Sequence, residues 1–196
     1  MTTSDKWILA SASPRRREIL AGIGLEFQVD PSSDPEPQEK SGEIPSAYAV
    51  RAAEEKASKV SVKYQSGLVL GADTIVVIGN HILGKPASTG EAREMLGRLS
   101  GHWHEVITGI SIHNISRHRS LSDFCISRVH FQCLTSREIA WYIGKGEYRD
   151  KAGAYGIQGY ASVFIDSIEG CFFNVVGFPV STFYRLCLQM DINILR

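Results

Sequence analysis

Residues 67–86 read Gly67-Leu68-Val69-Leu70-Gly71-Ala72-Asp73-Thr74-Ile75-Val76-Val77-Ile78-Gly79-Asn80-His81-Ile82-Leu83-Gly84-Lys85-Pro86, and this stretch decides the fold. The runs 68–70 and 75–78 are apolar, rich in β-branched residues and continuous rather than alternating, which is the pattern of strands covered on both faces. Gly79-Asn80-His81 turns the chain back, so that Ile82-Leu83 pairs with residues 75–78 as a hairpin and Lys85 emerges near the Asp73 end. Asp73 falls at the junction of the two runs. An ionised carboxylate beside covered strands is unfavourable unless it is paired or holds a metal. Taken alone the stretch leaves two readings open, a turn acid with a surface lysine or the acid and base of a site.

Towards the amino terminus, Trp7-Ile8-Leu9-Ala10 is a short first strand, and Ser11-Ala12-Ser13-Pro14-Arg15-Arg16-Arg17 opens a helix with Ser13 at the N-cap and Pro14 at the first helical position. Arginines in a first turn have the wrong sign for the positive end of a helix, at about 0.3–1 kcal/mol each when exposed, and a bound anion reverses that penalty. Ser11 and Ser13, the helix start, Arg15 and Arg16 therefore form a candidate phosphate site, the alternative being a solvated basic patch. Gly22 and Gly24 end the helix, and residues 25–29 alternate like a strand. Residues 30–43 have loop chemistry, with Pro31, Pro35 and Pro37 among acids; Asp34, Glu36 and Glu39 offer oxygen ligands of the type that hard divalent cations take. Ser46 is the expected cap of a helix whose face carries Ala49, Ala52, Ala53 and Ala57, with Lys56 near its C-terminal turns.

Towards the carboxyl terminus, Ser88-Thr89-Gly90-Glu91 and Thr135-Ser136-Arg137-Glu138 are capping-box sequences that open two helices. Residues 106–113 and 123–134 read as strands of a second hairpin. His102 and His104 have i, i+2 spacing and no third ligand in view, which favours a structural role over a metal site. In residues 147–160, Gly153, Gly156 and Gly159 permit close backbone approach, and Gln158 presents an amide suited to the O4 and N3–H edge of uracil or thymine, or to holding the loop to itself. Residues 163–166 read as a strand, and Pro179 as the start of a closing helix with Phe183, Leu186, Cys187 and Met190 inward. The order of elements implies an α/β fold, a mixed twisted sheet with some antiparallel pairs, flanked by helices.

The chain has 196 residues, 43% of them hydrophobic, so one domain with a sizeable core is expected over residues 1–196. Lys plus Arg equals Asp plus Glu, at 21 each, so no overall field favours nucleic acid or an acidic membrane, and any anion site must be local. Cys125, Cys133, Cys171 and Cys187 show no Cys-x-x-Cys spacing and lie in apolar stretches, as reduced core thiols of a cytoplasmic protein do. No apolar run approaches a bilayer span.

Together, residues 11–16, Glu43-x-Pro45-x-x-Tyr48-x-x-Arg51-x-Ala53-x-x-Lys56-Ala57, Gly71-Ala72-Asp73-Thr74, Gly84-Lys85-Pro86, residues 150–159 and Asn174-Val175-Val176-Gly177-x-Pro179 closely resemble the Maf family of nucleoside triphosphate pyrophosphatases, in order over nearly the whole chain. The resemblance implies two lobes with a long central cleft, as in inosine triphosphate pyrophosphatase-like folds, a frequent homodimer, and metal-dependent hydrolysis between the α and β phosphates. By position it implies Asp73 as proton acceptor, Arg15, Thr74 and Gln158 as specificity residues, Lys56 and Lys85 as the family's two lysines, and Glu36 as the loop acid, with Asp34 as its alternative. With Ser11, Ser13, Arg16, Lys56 and Lys85 on phosphate, Glu36 and Asp73 would hold Mg²⁺ or Mn²⁺; whether Asp73 acts as base, ligand or both stays open. The Gly156-Ile157-Gln158-Gly159 form resembles the subgroup acting on dTTP and UTP, as opposed to the one preferring 7-methyl-GTP. Modified pyrimidine triphosphates are further candidates. The opposing class is a non-catalytic nucleotide sensor linked to septum formation; the presence of Asp73 with loop acids argues for chemistry.

Overall fold

The structure, a computed structural model, describes residues 6–32 and 37–195. Among them seven strands form one mixed sheet in the order β2-β1-β3-β5-β6-β7, with β4 paired to β3. The strands are β1 Trp7–Leu9, β2 Phe27–Val29, β3 Leu68–Ile78, β4 His81–Leu83, β5 Trp103–Asn114, β6 Arg119–Phe131 and β7 Ile165–Glu169; the helices are α1 Pro14–Gly22, α2 Pro45–Ser61, α3 Thr89–Leu99, α4 Ser136–Gly144, α5 Phe172–Val176 and α6 Val180–Gln189. The chain divides into two compact units, each discontinuous in sequence.

The first unit comprises residues 1–73, 108–125 and 177–196. Here β1 pairs in parallel with β2 and with β3, Leu9 lying opposite Val29 and Leu70. Parallel strands are buried on both faces, and Ile8, Leu9, Val69 and Leu70 are all buried. Helix α2 lies unusually close to the sheet. A Cβ on Gly71 would stand 2.1 Å from the Ala53 carbonyl oxygen, and one on Gly109 2.2 Å from that of Ala49. Glycine in the strands and alanine on the helix are what allow this approach, and Ala49, Ala52, Ala53 and Ala57 are fully buried.

The second unit comprises residues 74–107 and 126–176. Its hairpin pairs Val76 with Leu83 and Ile78 with His81, and β6 runs antiparallel to β7. Helix α3 packs against α4 and against the short 3-10 turn Ala152–Ala154. Both helices begin with a side-chain cap: Ser88 accepts from Glu91 N–H, and Thr135 with Glu138 forms a complete capping box. In the first unit, by contrast, the N-caps of α1, α2 and α6 are Ser13, Ile44 and Pro179, and none makes a side-chain cap bond.

The mixed α/β sheet, the hairpin and the helices match the sequence reading, with local corrections. Asp73 lies within one continuous strand rather than at a junction, because the apolar runs are a single β3. Helix α2 starts at Pro45, with Ile44 as N-cap, so Ser46 is inside the first turn. Glu91 reaches back to Ala87 N–H rather than to its own cap, so the first capping box is only half formed. Residues 160–164 wind as a 3-10 turn before β7 begins at Ile165. None of the four cysteines is in a disulfide, but only Cys187 is a core thiol; Cys133 is exposed. Among the described residues, no helix is long and apolar enough to cross a membrane.

Candidate active site

The first unit holds six of the expected residues. Because α2 is drawn onto β3 at Gly71, Lys56 meets Asp73, Nζ to Oδ1 2.5 Å. Asp73 is 5% exposed. Two charges in such a place are held there by each other, since removing either partner leaves the other desolvated and alone. Next to Asp73 in sequence, the Ala72 carbonyl accepts from Arg16 Nη1 at 2.9 Å; the same nitrogen donates to Ser11 Oγ at 3.0 Å, and Arg16 Nε donates to the Gly177 carbonyl at 2.9 Å. Arg16 is thus buried and ties β1, β3 and the chain leading to α6 into one polar knot. Ser11 Oγ also accepts Ser13 N–H at 3.3 Å. Arg15, half-buried, shares the first turn of α1.

Helix α2 also anchors the end of the acidic loop that leads into it. The Tyr48 hydroxyl donates to the Pro37 carbonyl at 2.8 Å, and Arg51 donates to the Gln38 carbonyl and, through two nitrogens, to the Glu43 carboxylate at 2.6 and 2.7 Å. The Arg51 fork, aided by Lys40 N–H, holds the Glu43 carboxyl down at about 2. Glu36 and its alternative Asp34 lie outside the described residues.

The second unit holds the remaining three. Thr74 is half-buried on β3, Lys85 is exposed just beyond β4, and Gln158 is exposed in the turn after the 3-10 segment. Gly153 joins the last two segments: its N–H bonds the Gly84 carbonyl at 3.1 Å, and at φ 66° it sits so close to Val76 that a Cβ would come within 3.0 Å of that side chain.

Sequence reasoning gave His104 a structural role without naming its partner, and gave none to Tyr155 or Glu147. His104 Nε2 and the Tyr155 hydroxyl share a 2.7 Å hydrogen bond, and Glu147 accepts Tyr160 N–H at 2.6 Å. Burial lowers the His104 pKa to about 4, against a smaller opposite pull from the His102 backbone, and raises that of Tyr155 above the ordinary phenol value. An isolated glycine within a strand, as at Gly71 and Gly109, is the one signal that could have announced the helix contact placing Lys56. An open hollow of about 460 Å³ lined by Trp141, Glu147, Gly159, Tyr160, Ser162 and Val163 contains none of the expected phosphate-binding side chains.

Chemically, the first unit offers a buried carboxylate beside an ammonium and a helix start rich in arginine. Asp73 supplies oxygen donors of the kind a hard cation accepts. Among the described residues, no group of three or more His, Cys, Asp or Glu side chains that could hold a metal is present.

A family model described as "Maf-like protein" matches residues 6–190. The chain is 46% identical over 188 residues to a dTTP/UTP pyrophosphatase of Syntrophomonas wolfei, with 96% of this chain and 99% of that protein covered. It is 48% identical over 175 residues to a dTTP/UTP pyrophosphatase of Desulforamulus reducens, covering 89% and 91%. Among solved structures it is similar to a HAM1 protein from Coxiella burnetii at TM-score 0.41 and 16% identity, over 64% of this chain and 72% of that one. It is also similar to a dITP/XTP pyrophosphatase from Mycobacterium abscessus at TM-score 0.41 and 10% identity, over 97% and 100%.

Proposed function

The chain belongs to the Maf family, and from that premise we propose that it is a nucleoside triphosphate pyrophosphatase acting on dTTP and UTP, releasing the monophosphate and pyrophosphate. The observation that carries the reading is Asp73, a buried carboxylate retained beside Lys56 where an apolar residue would be more stable unless the charge is used. Asp73 orients and activates the attacking water at the α-phosphorus; Lys56, already in contact with it, holds its position and shares its charge with the phosphates. Arg15, Ser11, Ser13 and Lys85 bind the triphosphate. Arg16, committed to the Ala72 and Gly177 carbonyls, keeps the strand ends in place as well as adding positive charge. The α1 start, which has no side-chain cap, supports an anion there. Thr74 and Gln158 select the base.

Mg²⁺ or Mn²⁺ fits Asp73 and Glu36 as oxygen donors and, when bound, supplies charge neutralisation on the phosphates. The whole chain acts as one family domain, as a homodimer, in the cytoplasm, where cysteines outside disulfides are at home. Pyrophosphate release from UTP and dTTP, with and without Mg²⁺, is the test. Turnover that Asp73→Asn abolishes while nucleotide binding persists supports the reading; near-normal release by that variant refutes it.

A further inference from the structure

Helix α2 is seated on β3 with no slack: a Cβ on Gly71 would stand 2.1 Å from the Ala53 carbonyl oxygen and 2.9 Å from the Ala57 nitrogen. Those two alanines, both fully buried, bracket Lys56 on the helix. The Lys56 backbone is therefore fixed, and its ammonium moves only by rotation of its own side chain. That side chain is 18% exposed and meets Asp73 Oδ1 at 2.5 Å, the Asp73 side chain being 7% exposed. Arg16 nearby is a cation of the other kind. Its planar group is tied to three protein acceptors, Ser11 Oγ and the Ala72 and Gly177 carbonyls, whereas a lysine carries a compact charge on a flexible stem and can pass from one anion to another.

The Lys56–Asp73 contact sets two kinds of cation against each other. A carboxylate that accepts an ammonium so closely can take a divalent ion as well only by placing like charges side by side, and water screens that repulsion poorly where the carboxylate is buried. Leaving Asp73 is unfavourable for Lys56 too, because a partly buried ammonium is then left without a counter-charge. Both difficulties end together when phosphate oxygens are at hand: they accept the ammonium, and the carboxylate is released to a hard cation.

We propose that Lys56 is an exchange switch, holding Asp73 against a divalent cation and giving it up only to a nucleotide whose phosphates take the ammonium, so that metal and nucleotide bind as a coupled pair. The proposal rests on the reading that Asp73 is a metal ligand in a triphosphate site. Coupling between two ligands is reciprocal. The one contact holds back the metal from one side and the phosphates from the other, so breaking it from either side strengthens a binding step.

The test reads binding rather than turnover, on the full chain. Mn²⁺ is titrated without nucleotide by electron paramagnetic resonance, and the α,β-imido analogue of UTP is titrated by calorimetry in excess chelator. Lys56→Gln is expected to bind Mn²⁺ about ten-fold more tightly than wild type, Lys56→Arg no more tightly, and Asp73→Asn/Lys56→Gln without the gain. Asp73→Asn is expected to bind the analogue about ten-fold more tightly than wild type, and Lys56→Gln to weaken that binding about ten-fold more in the Asp73→Asn background than in wild type, because only there is the lysine given over to phosphate. A general change of charge would instead give Lys56→Gln the same effect in both backgrounds, and that result overturns the exchange. Mn²⁺ affinity unchanged in Lys56→Gln overturns it as well; where Lys56→Gln does not fold, an Asp73→Asn affinity for the analogue equal to wild type does so. Failure of the underlying reading is seen separately, as wild-type Mn²⁺ affinity in Asp73→Asn with the analogue present, or as near-normal UTP hydrolysis by that variant.

Discussion

Asp73 and His104 are both polar side chains on long central strands, 5% and 2% exposed, yet one faces an ammonium and the other a phenol. The first unit sets its acid against Lys56; in the second, burial among rings lowers the pKa of the histidine. The same division runs through the helix starts, uncapped by side chains in the first unit and capped in α3 and α4 of the second. Interior charge and open helix ends are poor building material but good tools for handling phosphate. Neutral rings and closed caps are the reverse, better for stability and with less to offer an anion.

The largest expected effect that tests this contrast is on rate: Asp73→Asn should slow pyrophosphate release by about 10²–10⁴-fold, followed by a pyrophosphate assay on folded protein, and should also lower stability because Lys56 loses its counter-charge. Next is Gly71→Ala, whose new methyl would collide with the Ala53 carbonyl; a loss above about 4 kcal/mol or failure to accumulate as soluble protein is expected, and a stable Gly71→Ala chain would remove the account of how α2 delivers Lys56. Lys56→Met leaves Asp73 buried and alone, which should cost about 3–5 kcal/mol in urea unfolding, with part recovered in the Asp73→Asn/Lys56→Met double variant. If the single and double variants are equally stable, the pair is not what supports the charge.

The neutral cluster makes its own prediction in pH. The folded His104 pKa of about 4 lies below the ordinary value of 6.5, so the unfolded chain binds the extra proton and the stabilisation is complete only above pH 6.5. As pH falls from 6.5 to about 4, roughly 3 kcal/mol should be lost at this residue, and the difference between wild type and His104→Gln in urea midpoints across that window isolates it from the carboxylates. Smallest is the cap contrast. Thr135→Ala should cost about 1 kcal/mol, whereas Ser13→Ala, whose hydroxyl caps nothing, should change thermal stability by much less.

The hairpin is legible in the sequence because Gly79-Asn80 separates two β-branched runs, and both turn chemistry and period point the same way. The need of Asp73 for a partner is also legible, from the price of desolvation, but the partner's identity is not. Lys56 is 17 residues upstream, where a cation near a helix C-terminus already has a local explanation. Only tertiary packing at Gly71 turns it inward. Arg16 reads as a phosphate ligand by its place at a helix start; that its donors go to carbonyls of β3 and of the segment before α6 depends on strand neighbours far apart in sequence. Residues 163–166 look like a strand because the run begins apolar, yet the 3-10 turn prevails as far as Phe164, burying it against Tyr142, and the strand starts only at Ile165.

Each unit is assembled from separate lengths of chain, with the polypeptide passing from one to the other inside β3, β5 and β6 and again after Val176. No single cut can therefore liberate a half that contains all its own pieces. A fragment ending at Asp73 would lack the strand segments of 108–125 and the helix α6 of 177–196, and one starting at Thr74 would carry them as orphans. Either half expressed by itself should therefore fail to fold, whereas joining the two chain ends with a linker and opening new termini in the turn around Arg117 keeps every segment on one covalent thread.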